Sequence, residues 1–548
     1  LPTMMSLPYD RLPRRWIELS SLDLVCIDLG TLEQLAAKEP ARCVALRQWL
    51  ASGGNVIVFD VGPAAARADD AARLLAPAGA LAGGLVGDGW QKPASNDRAN
   101  RLKSYGSAQT PIIVSGPPLA PSPPGGGAMP PQAGNAAPTT PAPVIVDELP
   151  PLPDPPPFVL RRIGSGMLLA ADTDDLFAQP PLDWIWMLNS LGSDRWLWYR
   201  RHGLSLDRPN ADFQNWLVRG VGKAPVTEFR VLISVFVLAI GPLNYLWLRR
   251  RGRLYLLVLV VPLAAGVVTF SLFGYAILAD GLDVRVRART LTQLDQRSGQ
   301  AVCWSRLSYY AGMAPSGGLA MPDDVVVLPL TANETDFSDL PRRQNVLWSP
   351  PEQTLVSGWL PSRTPMQYIT VRSRASQAAL RVLPRRGNGE LQVANQLGTR
   401  VIRLLLCDDS GRCHRAADIA AGATAALTAV ADPADEKAAI VKFVGDFQPR
   451  LPEDYVSPSA YRYGRRNYRY WNSANNSLIA PSQMSGRLEV ELHEVFTEPG
   501  KAPSAGKLGG FALSRRRYLA LVERSPEVVY GIDNPREEDS LHVIVGSW

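Results

Sequence analysis

Val231–Leu248 reads VLISVFVLAIGPLNYLWL, Arg249–Arg253 follows as RRRGR, and Leu254–Leu278 continues as LYLLVLVVPLAAGVVTFSLFGYAIL. The apolar runs hold 18 and 25 residues, and about 20 helical residues cross a hydrocarbon core of roughly 30 Å. The short stretch between them leaves room only for a tight turn. The reading is a two-helix transmembrane hairpin over 229–279. Arg249, Arg250, Arg251 and Arg253 crowd the turn, and short loops rich in Arg are held on the cytoplasmic side. Both large flanking segments are therefore expected outside the cytoplasmic membrane. Neither run contains Asp, Glu, Lys or His, which argues against an ion path through these helices alone. Gly241 and Pro242 interrupt the first run, and Pro both removes an N–H and kinks a helix. Asn244 and Tyr245 follow. An amide in hydrocarbon seeks a hydrogen bond, so Asn244 reads either as a helix–helix or partner contact or as an interfacial group bonded to headgroups or water.

The chain of 548 residues is long enough for two or more domains beside the hairpin. Its net charge of +6 comes from 49 Arg and only 8 Lys against 51 acidic residues, spread along the chain. With the large segments extracytoplasmic, anionic lipid or an envelope polymer is the expected counter-charge, and nucleic acid is not. The sequence opens on Leu1 without a signal pattern. Because the topology requires the first domain to be exported, an upstream signal or anchor is expected.

Residues 1–110 alternate strand and helix. Leu22–Asp28 is a short apolar run. Pro40–Ala51 has helical spacing with Cys43, Leu46 and Leu50 on one face, Gly53-Gly54 stops it, and Asn55–Phe59 is a second buried strand. That is a βαβ unit with parallel strands, as in a flavodoxin-like layer. Residues 111–157 hold 17 of the 48 prolines beside Gly125-Gly126-Gly127, so this segment reads as an extended insertion that buries no core. Ile163–Ala170 reads as a turn and a further strand, so the α/β domain is expected to resume over 158–228. That span also holds Trp184, Trp186, Trp196, Trp198, Tyr199 and Trp216, placed either at the outer leaflet or on a helix packed against the α/β domain.

Residues 280–548 alternate differently. Val284, Val286 and Ala288 in DVRVRAR, Val325–Leu328, Val393–Gly398, Val401–Leu406, Leu488–Leu492 and Leu541–Val545 are period-two or short apolar runs. They argue for one or two antiparallel β-sandwiches, with Ala434–Val444 the clearest helical exception.

The five cysteines and four histidines show no metal spacing, and no cofactor is expected. In LLLCDDSGRCHRA a three-residue loop Asp409-Ser410-Gly411 would set Cys407 and Cys413 opposite each other on a hairpin. An oxidising compartment permits a disulfide there, the alternative being two free thiols. The segment Tyr461, Arg462, Tyr463, Gly464, Arg465, Arg466, Asn467, Tyr468, Arg469, Tyr470, Trp471 interleaves aromatics with arginines. Outside the cell it suits a glycan, anionic lipid headgroups or a protein partner. The other reading is a loop whose tyrosines pack on the sandwich while its arginines are solvated.

Taken together, a helix ending in Trp49-x-x-x-Gly53-Gly54, the strand NVIVF, and Ile240-Gly241-Pro242-x-Asn244-Tyr245-x-x-x-Arg249-Arg250 ahead of a second span resemble a family of bacterial membrane proteins. That family carries a degenerate class I glutamine-amidotransferase-like domain and an IGPxNY transmembrane hairpin. The resemblance covers about the first 280 residues. Active amidotransferases of this class use a Cys on a G-x-C-x-G elbow with a His-Glu pair. Cys26 lies between Val25 and Ile27 within a strand, Cys43 lies in a helix, and no GxGxxG or GxxxxGK[ST] is present. The resemblance thus implies the fold without its chemistry. The expectation is a non-enzymatic envelope protein, anchored in the lipid bilayer and serving as scaffold or binding module for other membrane or envelope proteins. The alternatives are an enzyme with an unrecognised site in the α/β domain and an accessory subunit of a transporter.

Overall fold

The computed structural model describes residues 5–76, 89–93, 156–179, 181–191, 197–202, 213–219, 221, 226–281, 283–330, 344–383, 391–432, 435–436, 439, 513 and 515–548. The proline-rich insertion but for its last residues, the Tyr461–Trp471 segment, Leu488–Leu492 and most of Ala434–Val444 lie outside them. The chain divides into two compact units, Leu1–Ala76 with Val86–Trp198, and Pro77–Leu85 with Tyr199–Trp548. The second unit begins ahead of residue 228 and so takes in the segment leading to the apolar helices.

The first unit is a mixed α/β layer. β1 (Val25–Asp28) leads into α1 (Leu29–Lys38) and α2 (Pro40–Ala51), and β2 (Asn55–Phe59) returns parallel to β1. The Asp28 carboxylate accepts the Thr31 amide at 2.7 Å and caps α1, while Pro40 opens α2 at a position that needs no N–H donor. After α3 (Ala68–Leu75), β3 (Phe158–Ile163) and β4 (Gly166–Ala171) complete a sheet of order β1-β2-β4-β3 among the described residues. β4 is parallel to β2, and β3 is an antiparallel edge. Ile57, Leu160, Leu169 and Phe158 pack with Trp186, Met187 and Leu191 of α4 (Pro181–Ser190) and its end. The alternate residues Val56, Val58, Leu168 and Ala170 are buried as well, so both faces of the sheet are covered. Each fully buried Leu or Val of this kind contributes about 1.5–3 kcal/mol.

The motif glycines are packing residues. A Cβ on Gly54 would lie 2.5 Å from the Trp49 ring, and one on Gly166 would collide with the carbonyls of Leu50 and Gly54. Gly164, in the β3–β4 turn, has φ +60° and sits against the Ala51 backbone. The end of α2 therefore presses on the β3–β4 turn with no side chain between.

In the second unit, α5 (Val226–Leu238) passes through a π-helical turn at Ala239–Leu243 into α6 (Asn244–Arg250), and α7 runs Leu257–Asp280. The π turn falls on Gly241-Pro242, where proline cannot supply its N–H to the helical ladder. Among the described residues one helix is long and apolar enough to cross a membrane. Its window is Leu254–Ser271, and none of it is buried. The first run continues from α5 through the π turn into α6 without a gap.

The rest is sheet. β5 (Val284–Asp295) pairs antiparallel with β6 (Gln300–Ala311) along its whole length. β11 (Met366–Ala375) follows on β6, and β8 (Val325–Leu330) follows on β11. On the other side β19 (Leu541–Ser547) lies parallel to β5 and pairs with β17 (Arg517–Val522). β14 (Val401–Cys407), β15 (Cys413–Ile419), β16 (Thr424–Ala429), β13 (Leu391–Gln396) and β12 (Ala379–Leu383) continue the order, and β18 (Arg536–Glu537) pairs with β5. This makes a 12-stranded sheet among the described residues. A 3-stranded sheet, β7 (Leu319–Pro322), β10 (Glu352–Leu355) and β9 (Val346–Ser349), stands beside it. Two cores result. One gathers Leu380, Val393, Leu404, Leu406, Tyr518 and Ile544, and the other sets Val286, Ala288, Leu307 and Tyr309 against Leu319, Met321 and Leu355. The expected period-two strands at Val284, Val325, Val393, Val401 and Leu541 are all strands. The sheet is not purely antiparallel, because the last strand enters beside β5 in parallel.

Candidate functional site

The apolar helices join the sheet at one place. β5 starts at Val284, just after α7 ends at Asp280, and a short 3-10 turn at Phe213–Trp216 precedes α5. The indole of Trp216 is buried among three guanidiniums. Arg306 stands 4.5 Å, Arg289 5.0 Å and Arg287 5.7 Å from its ring centroid. All three arginine side chains are buried too, two from β5 and one from β6. The backbone of the turn is held alongside. The Gln367 amide of β11 donates to the Phe213 carbonyl at 2.7 Å and accepts from Arg306 at 2.8 Å. Arg287 donates to the carbonyls of Leu217 and Asp539, both at 3.4 Å, and Arg219 pairs with Asp539 at 3.0 Å. The chain entering the first apolar helix is thus fastened to the strand that leaves the last one.

Burial pushes Arg287 down to about 10. Arg219, Arg289 and Arg306 add repulsion, while Asp539 opposes it. It remains a cation at neutral pH. A guanidinium over an indole is worth about 0.5–1 kcal/mol when exposed and about 2 kcal/mol when desolvated, as here. Guanidiniums donate hydrogen bonds but neither accept them nor titrate in the working range. This cluster is therefore a clamp, with no acid or base to offer.

A second buried group lies on the same strands. Thr290 and His542 are direct neighbours across the parallel β5–β19 pair. The Thr290 Oγ1 is 2.8 Å from His542 Nδ1, and His542 Nε2 is 2.5 Å from Glu537 Oε1. Burial works to raise Glu537, but above all the hydrogen bond and charge of His542 outweigh it and hold the carboxyl below its usual range. Hydroxyl, imidazole and carboxylate in line is the order used for nucleophile activation. Here the hydroxyl has no exposed surface, so the chain of bonds satisfies polar groups inside the sheet. Nearby, Thr292 Oγ1 lies 2.9 Å from Ser525 Oγ and 3.5 Å from Cys303 Sγ.

Of the residues singled out in the sequence, Arg249, Arg250, Arg251 and Arg253 are exposed at the turn between α6 and α7. The Arg251 guanidinium lies 4.0 Å from the Trp247 ring centroid. Gly241, Pro242 and Tyr245 are exposed, and a Cβ on Gly241 would meet open space. Asn244 is half-buried, and its amide nitrogen is enclosed with no hydrogen-bond partner among the described residues. Cys407 and Cys413 face each other across β14 and β15 and form a disulfide, with Cα atoms 4.1 Å apart. Gly411 takes φ +83° in the three-residue loop between them. Tyr461, Arg462, Tyr463, Arg465, Arg466, Tyr468, Arg469, Tyr470 and Trp471 lie outside the described residues. The Trp-rich stretch divides. Trp186 packs on the first unit's core, edge-on to Phe158 at 4.6 Å, while Trp216 packs on the β-rich sheet, a placement neither reading of the sequence named.

Burial pushes the Cys26 thiol up to about 12, and it raises Cys43 and Cys303 as well. All three are protonated at neutral pH, the opposite of an activated nucleophile. Among the described residues no three His, Cys, Asp or Glu side chains are grouped as a metal ion would need.

No family model and no curated protein matches the chain. Among solved structures it is similar to the yeast delta-COP-I mu-homology domain complexed with a Dsl1 WxWxV peptide. The identity is 9%, over 28% of this chain and 77% of that chain, with a TM-score of 0.15, a score that carries no argument about fold or function.

Proposed function

We propose that the chain is a membrane-anchored envelope scaffold or binding module. In this reading the runs Val226–Arg250 and Leu257–Asp280 form a transmembrane hairpin, with the Arg249–Arg253 turn in the bacterial cytoplasm. A flavodoxin-like, amidotransferase-like unit and a β-sandwich region stand on the outer side, where they hold other membrane or envelope proteins. The observation that carries it is an apolar helix with no buried residue, the second of two apolar runs that lie between the clamped Phe213–Arg219 segment and the strand β5 that clamps it. Bare apolar surface of that length is stable only in lipid. A disulfide in the β-rich unit supports an oxidising compartment, and three protonated thiols support a role other than thiolate catalysis.

Single cysteines at exposed positions test the topology. With a maleimide that does not cross the cytoplasmic membrane, Ala37→Cys and Thr428→Cys should label in intact cells. Arg253→Cys should label only after the membrane is opened. The reverse pattern would overturn the orientation, and labelling of all three in intact cells would overturn the membrane hairpin itself.

A further inference from the structure

Strand β9 ends the smaller sheet of the second unit among the described residues, and it is apolar in the wrong places for a simple edge. Val346, Leu347 and Trp348 are 44%, 58% and 48% exposed. Register with β10 sets Val346 opposite Leu355 and Trp348 opposite Gln353, with Leu347 opposite Thr354 between them. Side chains alternate faces along a strand, so the apolar residues project from both faces. A core would cover one face, and a protein partner laid on the sheet would cover one as well. Lipid surrounds both.

The strand also sits at a particular end of the unit. Val284, the first residue of β5 after α7, pairs with Ala311, and the Gly312 amide donates to the Asp283 carbonyl at 3.2 Å. Met313, next along, is 59% exposed. From there the Arg363 amide reaches the Ala311 carbonyl at 2.7 Å, and the Ala314 amide reaches the Ser362 hydroxyl at 2.7 Å. The Trp359 indole then donates to the Asn345 carbonyl at 3.1 Å, directly before β9. Hydrogen bonds and short stretches of chain thus lead from Asp283, shortly after α7 in the sequence, to Asn345 at the start of the exposed apolar strand.

From this placement we infer that β9 and the Met313 loop form a second, shallow membrane contact, with Val346, Leu347, Trp348 and Met313 resting at the boundary of headgroups and acyl chains beside the hairpin. Trp favours that boundary. The outer edge of β9 keeps its backbone N–H and C=O groups at headgroup level, where water and phosphates satisfy them, because the hydrocarbon interior would not. The contact would hold the β-rich unit against the bilayer at two points, and so fix its tilt where a single linker would leave it free to swing.

The inference rests on the membrane reading of α7, and the test separates the two. Full-length protein is reconstituted into phosphatidylcholine vesicles with an environment-sensitive fluorophore on Leu347→Cys, Val258→Cys or Thr428→Cys. Val258 is 82% exposed on α7, and Thr428 is an exposed residue of β16. The Leu347 probe should shift to the blue and lose most of its emission to lipids carrying a quencher near the headgroup. The Val258 probe should respond most to a quencher deep in the acyl chains, and the Thr428 probe to neither. A Leu347 probe that behaves like Thr428 while Val258 is quenched would overturn the second contact and leave the hairpin standing. A Leu347 probe shielded from aqueous iodide yet untouched by either lipid quencher would mean protein covers the strand, whether this chain's own residues or a second copy, and would overturn it too. If Val258 escapes both lipid quenchers, the membrane reading and this inference fall together.

Discussion

Asp408 turns the disulfide hairpin by accepting the Ser410 amide at 2.9 Å, the Ser410 hydroxyl at 2.6 Å and the Arg412 amide at 2.9 Å on one oxygen. The other oxygen lies 3.0 Å from His414 Nε2. Burial works to raise this carboxyl, but those hydrogen bonds outweigh it and hold it at about 2. An unfolded Asp titrates near about 3.9, so between the two values the unfolded chain binds more protons and stability rises with pH. The contribution is complete above the unfolded value and is lost as pH falls through about 2. Denaturant titrations of wild type and Asp408→Asn should therefore differ at pH 6 and converge as pH is lowered through that window. A constant difference would assign the effect to something other than ionisation. Gly166 makes a different demand, for space. In Gly166→Ala a methyl group would enter the contact between the end of α2 and the β3–β4 turn, where the Leu50 and Gly54 carbonyls already stand. The backbone cannot yield as a side chain would, and a loss of about 3 kcal/mol is expected, read as a lower midpoint of denaturant unfolding. No loss would mean that this contact is looser than drawn.

At the scale of elements, the clamp on Trp216 joins the turn before α5 to β5, β6 and β11. Trp216→Ala would remove the ring that three buried cations share and open a cavity, so a destabilisation of about 3–5 kcal/mol is expected. Trp216→Phe, which keeps an aromatic face, should recover part of it. Limited proteolysis between Phe213 and Arg219 reads the release of the turn directly, and equal resistance in wild type and Trp216→Ala would remove the clamp from the account. The clamp also marks where the sequence stops being legible. β1 is visible as a short apolar run, α2, β2 and β4 are visible because each local pattern meets glycine at one end, and the Cys407–Cys413 hairpin is visible because a glycine-containing loop separates its cysteines. In DVRVRAR the apolar half of the alternation is readable, but the arginines look like a solvated face. Their burial depends on Phe213–Arg219 crossing that face, and no local periodicity encodes so distant a partner. The parallel neighbourhood of β5 and β19, and with it the Thr290–His542–Glu537 line, is hidden in the same way, since strands that pair across most of the chain leave no mark on spacing. The Gly241-Pro242 break was legible as a kink. That the helix absorbs it as a π turn, leaving one uninterrupted apolar helix of spanning length among the described residues, was not.

For the whole molecule, the proposed orientation in the bilayer rests on four cations. Arg249, Arg250, Arg251 and Arg253 are exposed at the turn, and moving one elementary charge outward against the membrane potential costs about 2.3 kcal/mol per 100 mV. Four such charges on one short loop outweigh any contribution from the loop's other residues, and the clamp then carries the β-rich unit to whichever side the helix ends occupy. Replacing all four arginines by Ala should let part of the population insert with the turn outward. Thr428→Cys would then lose labelling by impermeant maleimide in that fraction of intact cells. Arg381→Ala with Arg412→Ala, which removes exposed charge from the β-rich unit and none from the turn, should leave labelling unchanged. If the fourfold replacement also leaves Thr428→Cys fully reactive, the turn's charge does not set the orientation, and the export of the preceding segment must do so. If it abolishes labelling completely, the arginines are the sole determinant, because no other part of the chain then resists inversion.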